Sequence, residues 1–226
     1  GSATEGTDYT DGSGNIDDIV ISAGSTTGTV SFTPSDDSVY EDDEAATIAI
    51  SSVSGGSATE SGTQTVTITI TDNESAPTVT LSRSAAAIDE NSSSTVTITA
   101  TLSNGTYQDV TVSIDGTGGT GTEGTDFGTV SDITISAGST TGTATVDPTD
   151  DSVYEGDETA GISISGVSGG SATESGSQSV TVTITENESA PTVTLTSSAS
   201  SINENAGSSL TLTATLSGDV DETVTV

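Results

Sequence analysis

Tyr40 and Tyr154, Pro77 and Pro191, and Glu90 and Glu204 each stand 114 residues apart, so the chain repeats itself at that period. Ile21 to Thr29 returns verbatim as Ile135 to Thr143. Near the N-terminus Asp8 matches Asp126 at a spacing of 118, which gives the first copy about four extra residues around Asp11–Asn15. A fixed internal period restricts the chain to repeated units of one architecture. The seam is Asn-Glu-Ser-Ala-Pro, at Asn73–Pro77 and again at Asn187–Pro191. Proline lacks the backbone donor and marks a strand edge or start. Residues 77–190 therefore read as one whole unit, 1–76 as the C-terminal two-thirds of a preceding unit, and 191–226 as the N-terminal third of a following one. The chain has no methionine and no signal peptide, and we expect it to be a piece of a longer array.

Within the whole unit the hydropathy alternates with period two. Thr78–Leu81, Thr95–Leu102, Val110–Ile114, Ile133–Ile135, Thr143–Val146, Ala160–Ile164 and Val180–Ile184 each place apolar residues on one face and mostly Thr or Ser on the other. That is the pattern of half-buried strands, and Gly/Ser/Asp/Asn clusters between them serve as turns. No stretch has helical periodicity. The expected fold is all-β, a series of immunoglobulin-like seven-stranded antiparallel sandwiches. With only four Tyr and two Phe in 226 residues, each core closes mainly on Val, Ile, Leu and Ala.

Charge excludes whole classes of partner. There are 34 acidic residues against the single base Arg83, a formal net charge of −33. No cationic surface exists to displace counterions from nucleic acid or to meet an anionic membrane. No apolar run approaches the ~20 residues of a membrane span. Histidine, cysteine and lysine are all absent, which removes disulfides, lysine–asparagine cross-links and most catalytic machinery. Catalysis would be left with carboxylate pairs alone, and acids that recur with the domain period are what ligands of a repeated structure would do. An enzyme is not expected. Divalent cations are the partner such a field attracts.

The most informative segment is Asp150-Asp151-Ser152-Val153-Tyr154-Glu155-Gly156-Asp157-Glu158, repeated as Asp36-Asp37-Ser38-Val39-Tyr40-Glu41-Asp42-Asp43-Glu44. Its acids repel one another with no lysine or histidine nearby. A solvated loop is one reading of such a run. Two details favour a bound cation: a tyrosine sits at the same place both times, and the acids hold fixed spacing. Hard oxygen donors suit calcium. The Asn-X-Ser/Thr sequons carry little weight in a chain so rich in those residues.

Ile88-Asp89-Glu90-Asn91, Gly124-Thr125-Asp126-Phe127, the acidic run and Val182-Thr183-Ile184-Thr185-Glu186-Asn187-Glu188 follow one another in order. This succession resembles the Calx-beta domain of sodium–calcium exchanger regulatory regions and large bacterial surface adhesins. The resemblance covers the whole unit and both partial ones. It implies a seven-stranded sandwich with Ca2+ held among loops at one end. Carried over by position, it implies Glu90, Asp126, Asp150, Asp151, Glu155 and Glu158 as ligands, with the carbonyl of Val153 assisting. The family's terminal acidic triplet falls on Glu186, Asn187 and Glu188, a departure from its all-aspartate form that leaves the number of ions open. In the first copy the same mapping gives Asp8, Asp36, Asp37, Val39, Glu41, Glu44, Asp72, Asn73 and Glu74, and in the third it gives Glu204. Asp126 also suits a simple turn cap.

The expected role is a calcium-binding structural module of an extracellular stalk, adhesin or surface filament, stiffened by calcium at domain ends and junctions. Its partners are then calcium ions and neighbouring copies of the repeat, in the same chain or head to tail between chains by strand complementation. The alternative is a calcium-sensing regulatory domain like those of the exchangers. Affinity separates the two, since extracellular modules bind at about 10⁻⁴–10⁻³ M and sensors at about 10⁻⁷–10⁻⁵ M.

Overall fold

The computed structural model describes residues 2–204 and 207–226. Its centre is a two-sheet sandwich. One sheet has five strands in the order Ile133–Ile135, Val110–Gly119, Glu158–Ser168, Ser179–Thr185, Ala87–Asp89. The other has four, in the order Thr141–Val146, Val96–Leu102, Thr78–Arg83, Thr173–Glu174. Every expected strand is present, and the described residues contain no helix.

Alternation determines which side chains meet. Along Val96–Leu102, Val96, Ile98, Ala100 and Leu102 are buried while the threonines between them are only half-buried. They face Val110, Val112, Ile133, Ile135, Ala160, Ile162, Val182 and Ile184 of the other sheet in a single core. Phe127, with no exposed surface, is its one buried aromatic. The smaller N- and C-terminal hairpins, Glu44–Ala49 with Thr65–Ile70 and Val193–Ser197 with Leu212–Leu216, expose Val66, Leu195 and Leu212.

Within the central sandwich the pairing departs from purely antiparallel at two short edges. Thr173–Glu174 lies parallel to Thr78–Val79, and Ala87–Asp89 lies parallel to Thr183–Thr185. The second arises because the chain leaves one sheet after Arg83 and joins the other at Ala87. That switch carries Glu90 to the end of Ser179–Thr185, where its N–H donates to the Thr185 carbonyl at 3.0 Å. On the neighbouring pair, Gly118 and Gly161 let two backbones touch: a Cβ on Gly161 would lie 2.5 Å from the Gly118 carbonyl carbon. Beyond Gly119 (φ 102°), the N–H groups of Thr120 and Gly121 both donate to Thr159 O, at 3.1 and 3.0 Å. The loop leading to Asp126 is thereby tied down beside Glu158.

Candidate metal centre

Three short segments converge on one end of the sandwich. In the first, Gly124 (φ 86°) closes a tight turn in which Asp126 Oδ2 accepts the Thr122 N–H at 2.6 Å and Phe127 buries itself beneath. Asp126 is thus a turn cap whose second oxygen stays available. The acidic run is the second segment. Thr149 N–H donates to Asp126 O at 3.0 Å, and Glu158 opens the strand that pairs with Ser179–Thr185. Third comes Glu186, directly after that strand, accepting the Glu155 N–H at 2.6 Å, the Gly156 N–H at 3.0 Å and the Glu188 N–H at 2.9 Å. Glu90 joins it from the switched strand and accepts the Asp151 N–H at 3.2 Å.

The outcome is two tight groups of carboxylates, Asp126–Glu155–Glu158 and Glu90–Glu186–Glu188, each offering oxygens within 4.8 Å of one another. Oxygens bound to calcium at about 2.4 Å can be at most about 4.8 Å apart, so each group fits the coordination sphere of one ion. A small cavity lined by Glu90, Asp126, Glu155 and Glu158 joins them. Asp8, Glu41 and Glu44 form a third group of the same size in the N-terminal segment.

Other expected ligands are placed nearby but otherwise engaged. Asp151 accepts the Val153 N–H at 2.7 Å, and Asp150 accepts the Asn187 side-chain amide at 3.0 Å. The first copy repeats both contacts, Asp37 with Val39 at 2.7 Å and Asp36 with Asn73 at 3.2 Å. Asp72 accepts the Glu41 N–H at 3.1 Å and the Glu74 N–H at 3.3 Å, as Glu186 does in the second copy. Val39 and Val153 form strand bridges to the segments that follow. Glu204 is exposed and belongs to no group among the described residues. Sequence reading missed Asp157, whose Oδ1 accepts the Glu186 N–H at 3.1 Å, and Asp221, whose charge, from the following segment, helps to raise the Glu155 and Glu158 carboxyls. Asp157 was visible within the run. Asp221 carried no local signal.

Electrostatics fits the groups to a cation. Glu90 is only 7% exposed, and burial, with help from Glu186 and Asp151, pushes its carboxyl up. Burial followed by the Asp126 charge pushes Glu158 up to about 7. Burial also acts to raise Glu186, but the N–H groups of Glu155, Glu188 and Gly156 outweigh it and hold that carboxyl down at about 2. Glu188 Oε2 is buried without a hydrogen-bond partner. A buried oxygen left unpaired costs free energy that a hard cation would recover. The donors are all oxygen, so calcium or magnesium fits and a soft metal does not.

A model of the Calx-beta domain matches residues 1–74 and again residues 72–188. The chain belongs to the Calx-beta domain family. Comparison with curated proteins gives no match. Among solved structures, the apo-form Calx CBD1 domain is similar at 20% identity and a TM-score of 0.41, over 49% of this chain and 99% of that one. CBD12 from CALX1.2 is similar at 21% identity and a TM-score of 0.40, over 48% of this chain and 44% of that one. Calx-beta domains are binding and regulatory modules, not catalysts, and the chain carries them in tandem.

The Glu158 shift has a sign that can be tested. Its carboxyl is raised from the ordinary 4.5 to about 7, so its contribution to ion-free stability is full below the unfolded value and is lost as pH rises through 7. Glu186 contributes in the opposite sense, present above 4.5 and lost only as pH falls through about 2. Between these limits Glu158 dominates. In chelator the melting temperature is therefore expected to fall from about pH 5 to about pH 8, whereas a cation held at Glu158 would keep it ionised, so that saturating calcium is expected to abolish or reverse that slope. Thermal melts across pH with and without calcium check both arms.

Proposed function

We propose that the chain is a calcium-binding structural repeat from an extracellular stalk, adhesin or surface filament. Its unit boundaries on this reading are 1–76, 77–190 and 191–226, with Ser189-Ala190-Pro191 as the short linker. One observation carries the proposal. The carboxylate groups Asp126–Glu155–Glu158 and Glu90–Glu186–Glu188 lie at the end of the sandwich from which the chain passes to the next unit. Calcium there cancels repulsion within the groups and fixes the strand-end geometry at the junction. The −33 formal charge supports an environment rich in free divalent cations. Among the described residues no helix is long and apolar enough to cross a membrane.

Neighbouring copies of the repeat, from the same chain or from another, are the partners this reading requires. The exposed apolar faces at Val66 and at Leu195 and Leu212 are the surfaces that such copies would cover. Small-angle scattering tests the mechanical claim. The particle is expected to be longer and better defined with calcium, and to become flexible in chelator. Equal dimensions and flexibility in both conditions would refute stiffening.

A further inference from the structure

The two junctions in this chain share one backbone design. At the first, Val39–Tyr40 pairs in parallel with Gly105–Thr106, and at the second, Val153–Tyr154 pairs in parallel with Asp219–Val220. Each bridge links the acidic run of one repeat to the segment just after the first hairpin of the next, and the registers are related by the 114-residue period. The side chains that surround the two bridges differ.

At the first junction Asp42 has φ 64°, a left-handed conformation that the second copy assigns to Gly156, with φ 79°. Residues other than glycine enter that region rarely, and aspartate does so when its carboxylate is engaged. Here it is engaged twice. Tyr40 donates its hydroxyl to Asp42 Oδ1 at 2.5 Å, and Tyr107, from the central sandwich, donates its hydroxyl to Asp42 Oδ2 at 3.0 Å. Tyr107 N–H also donates to Tyr40 O at 3.1 Å, and the Asn104 amide donates to Ser75 O at 3.1 Å. Thr106, at 1% exposure, is locked between the Gly138 N–H and Gly170 O.

At the second junction Gly156 offers no carboxylate, and Asp221 stands where Tyr107 stood. Asp221 follows directly on the Asp219–Val220 bridge, and its like charge acts on Glu155 and Glu158. Such an arrangement repels until it is neutralised.

We infer that Tyr40, Asp42 and Tyr107 form a latch between consecutive repeats that holds the first junction closed without any cation, while the second junction lacks it. The latch makes a pairing rule: a repeat with aspartate at the Asp42 position locks to a follower with tyrosine at the Tyr107 position. Of the two joints in this chain, the first is then rigid in all conditions and the second is of a kind that responds to charge. That second kind of joint responds to calcium only if the function proposed above holds.

The chain contains no cysteine, so paired spin labels can be placed at will. Thr67→Cys with Thr143→Cys reports the first junction, and Thr181→Cys with Thr213→Cys the second; all four sites are exposed. In chelator the full chain is expected to give a narrow distance distribution across the first junction and a broad one across the second. Tyr107→Phe and Asp42→Asn are each expected to broaden the first to the width of the second. Gly156→Asp with Asp221→Tyr transplants the latch, and the added Cβ of the first substitution meets open space. That pair is expected to narrow the second junction in chelator, whereas Gly156→Asp with Asp221→Phe is not. A first junction unchanged by Tyr107→Phe, or a second junction untouched by the transplant, overturns the latch. A wild-type second junction that stays broad on adding calcium overturns the calcium reading and leaves the latch standing.

Discussion

Chelating calcium is expected to lower the midpoint of thermal unfolding by about 10–20 °C. A ligand that binds only the folded state adds RT ln(1 + [L]/Kd), about 2.7 kcal/mol for a site at one hundred times its Kd. The two carboxylate groups of the central sandwich provide two such contributions if each holds one ion. For a domain near this size, about 4 °C accompanies each kcal/mol. The effect is large because the fold has little else to draw on. The central core has one buried aromatic, and its remaining buried side chains are mostly Val, Ile and Ala. Differential scanning calorimetry in calcium and in chelator measures the shift. Magnesium is expected to restore only part of it, because its smaller octahedral shell is harder to build from facing glutamates.

Phe127→Ala is expected to cost about 3–5 kcal/mol of stability and to weaken calcium binding about tenfold. The first effect is a cavity in the core, since Phe127 has no exposed surface. The second follows from the chain position. Phe127 is the anchor of the turn whose preceding residue is Asp126, and Phe127 O accepts the Gly124 N–H that closes it. Without the ring, Asp126 loses the orientation that brings it to Glu155 and Glu158. Ile135→Ala supplies the control. Ile135 is equally buried but pairs with Val110, at the opposite end of the strand that reaches the site through Gly119. Roughly 30 Å separates those strand ends at 3.3 Å per residue. That variant is expected to lose comparable stability, about 2–5 kcal/mol, with calcium affinity unchanged. Urea unfolding and calorimetric titration below the melting range distinguish the two.

Much of the fold was legible because period two is a strong signal when the outward residue is so consistently threonine. Runs such as Val96–Leu102 could be read directly. The sheet switch between Arg83 and Ala87 was not legible. Small residues, Ser84-Ala85-Ala86, fit either sheet, and only the pairing partner decides which one they join. That switch brings Glu90 to Glu186, so the spatial logic of one carboxylate group was invisible even though its members had been picked out. Within the acidic run, spacing alone could not separate Glu155 and Glu158, which converge with Asp126, from Asp151, which accepts the loop's own Val153 N–H, and Asp150, which accepts the Asn187 side-chain amide. Asp221 and Tyr107 were missed for a simpler reason. They act across a junction, and nothing local marks a residue whose partner lies in the preceding repeat.

Equilibrium calcium binding to the full chain and to Glu90→Gln/Glu158→Gln tests the central claim most directly, because each substitution removes one charge from one carboxylate group and keeps its shape. Saturable binding is expected at about 10⁻⁴–10⁻³ M in the parent chain, with the sites of the central sandwich lost in the variant while its circular dichroism still reports the all-β fold. No binding at saturating calcium, or identical binding in the two proteins, would contradict it.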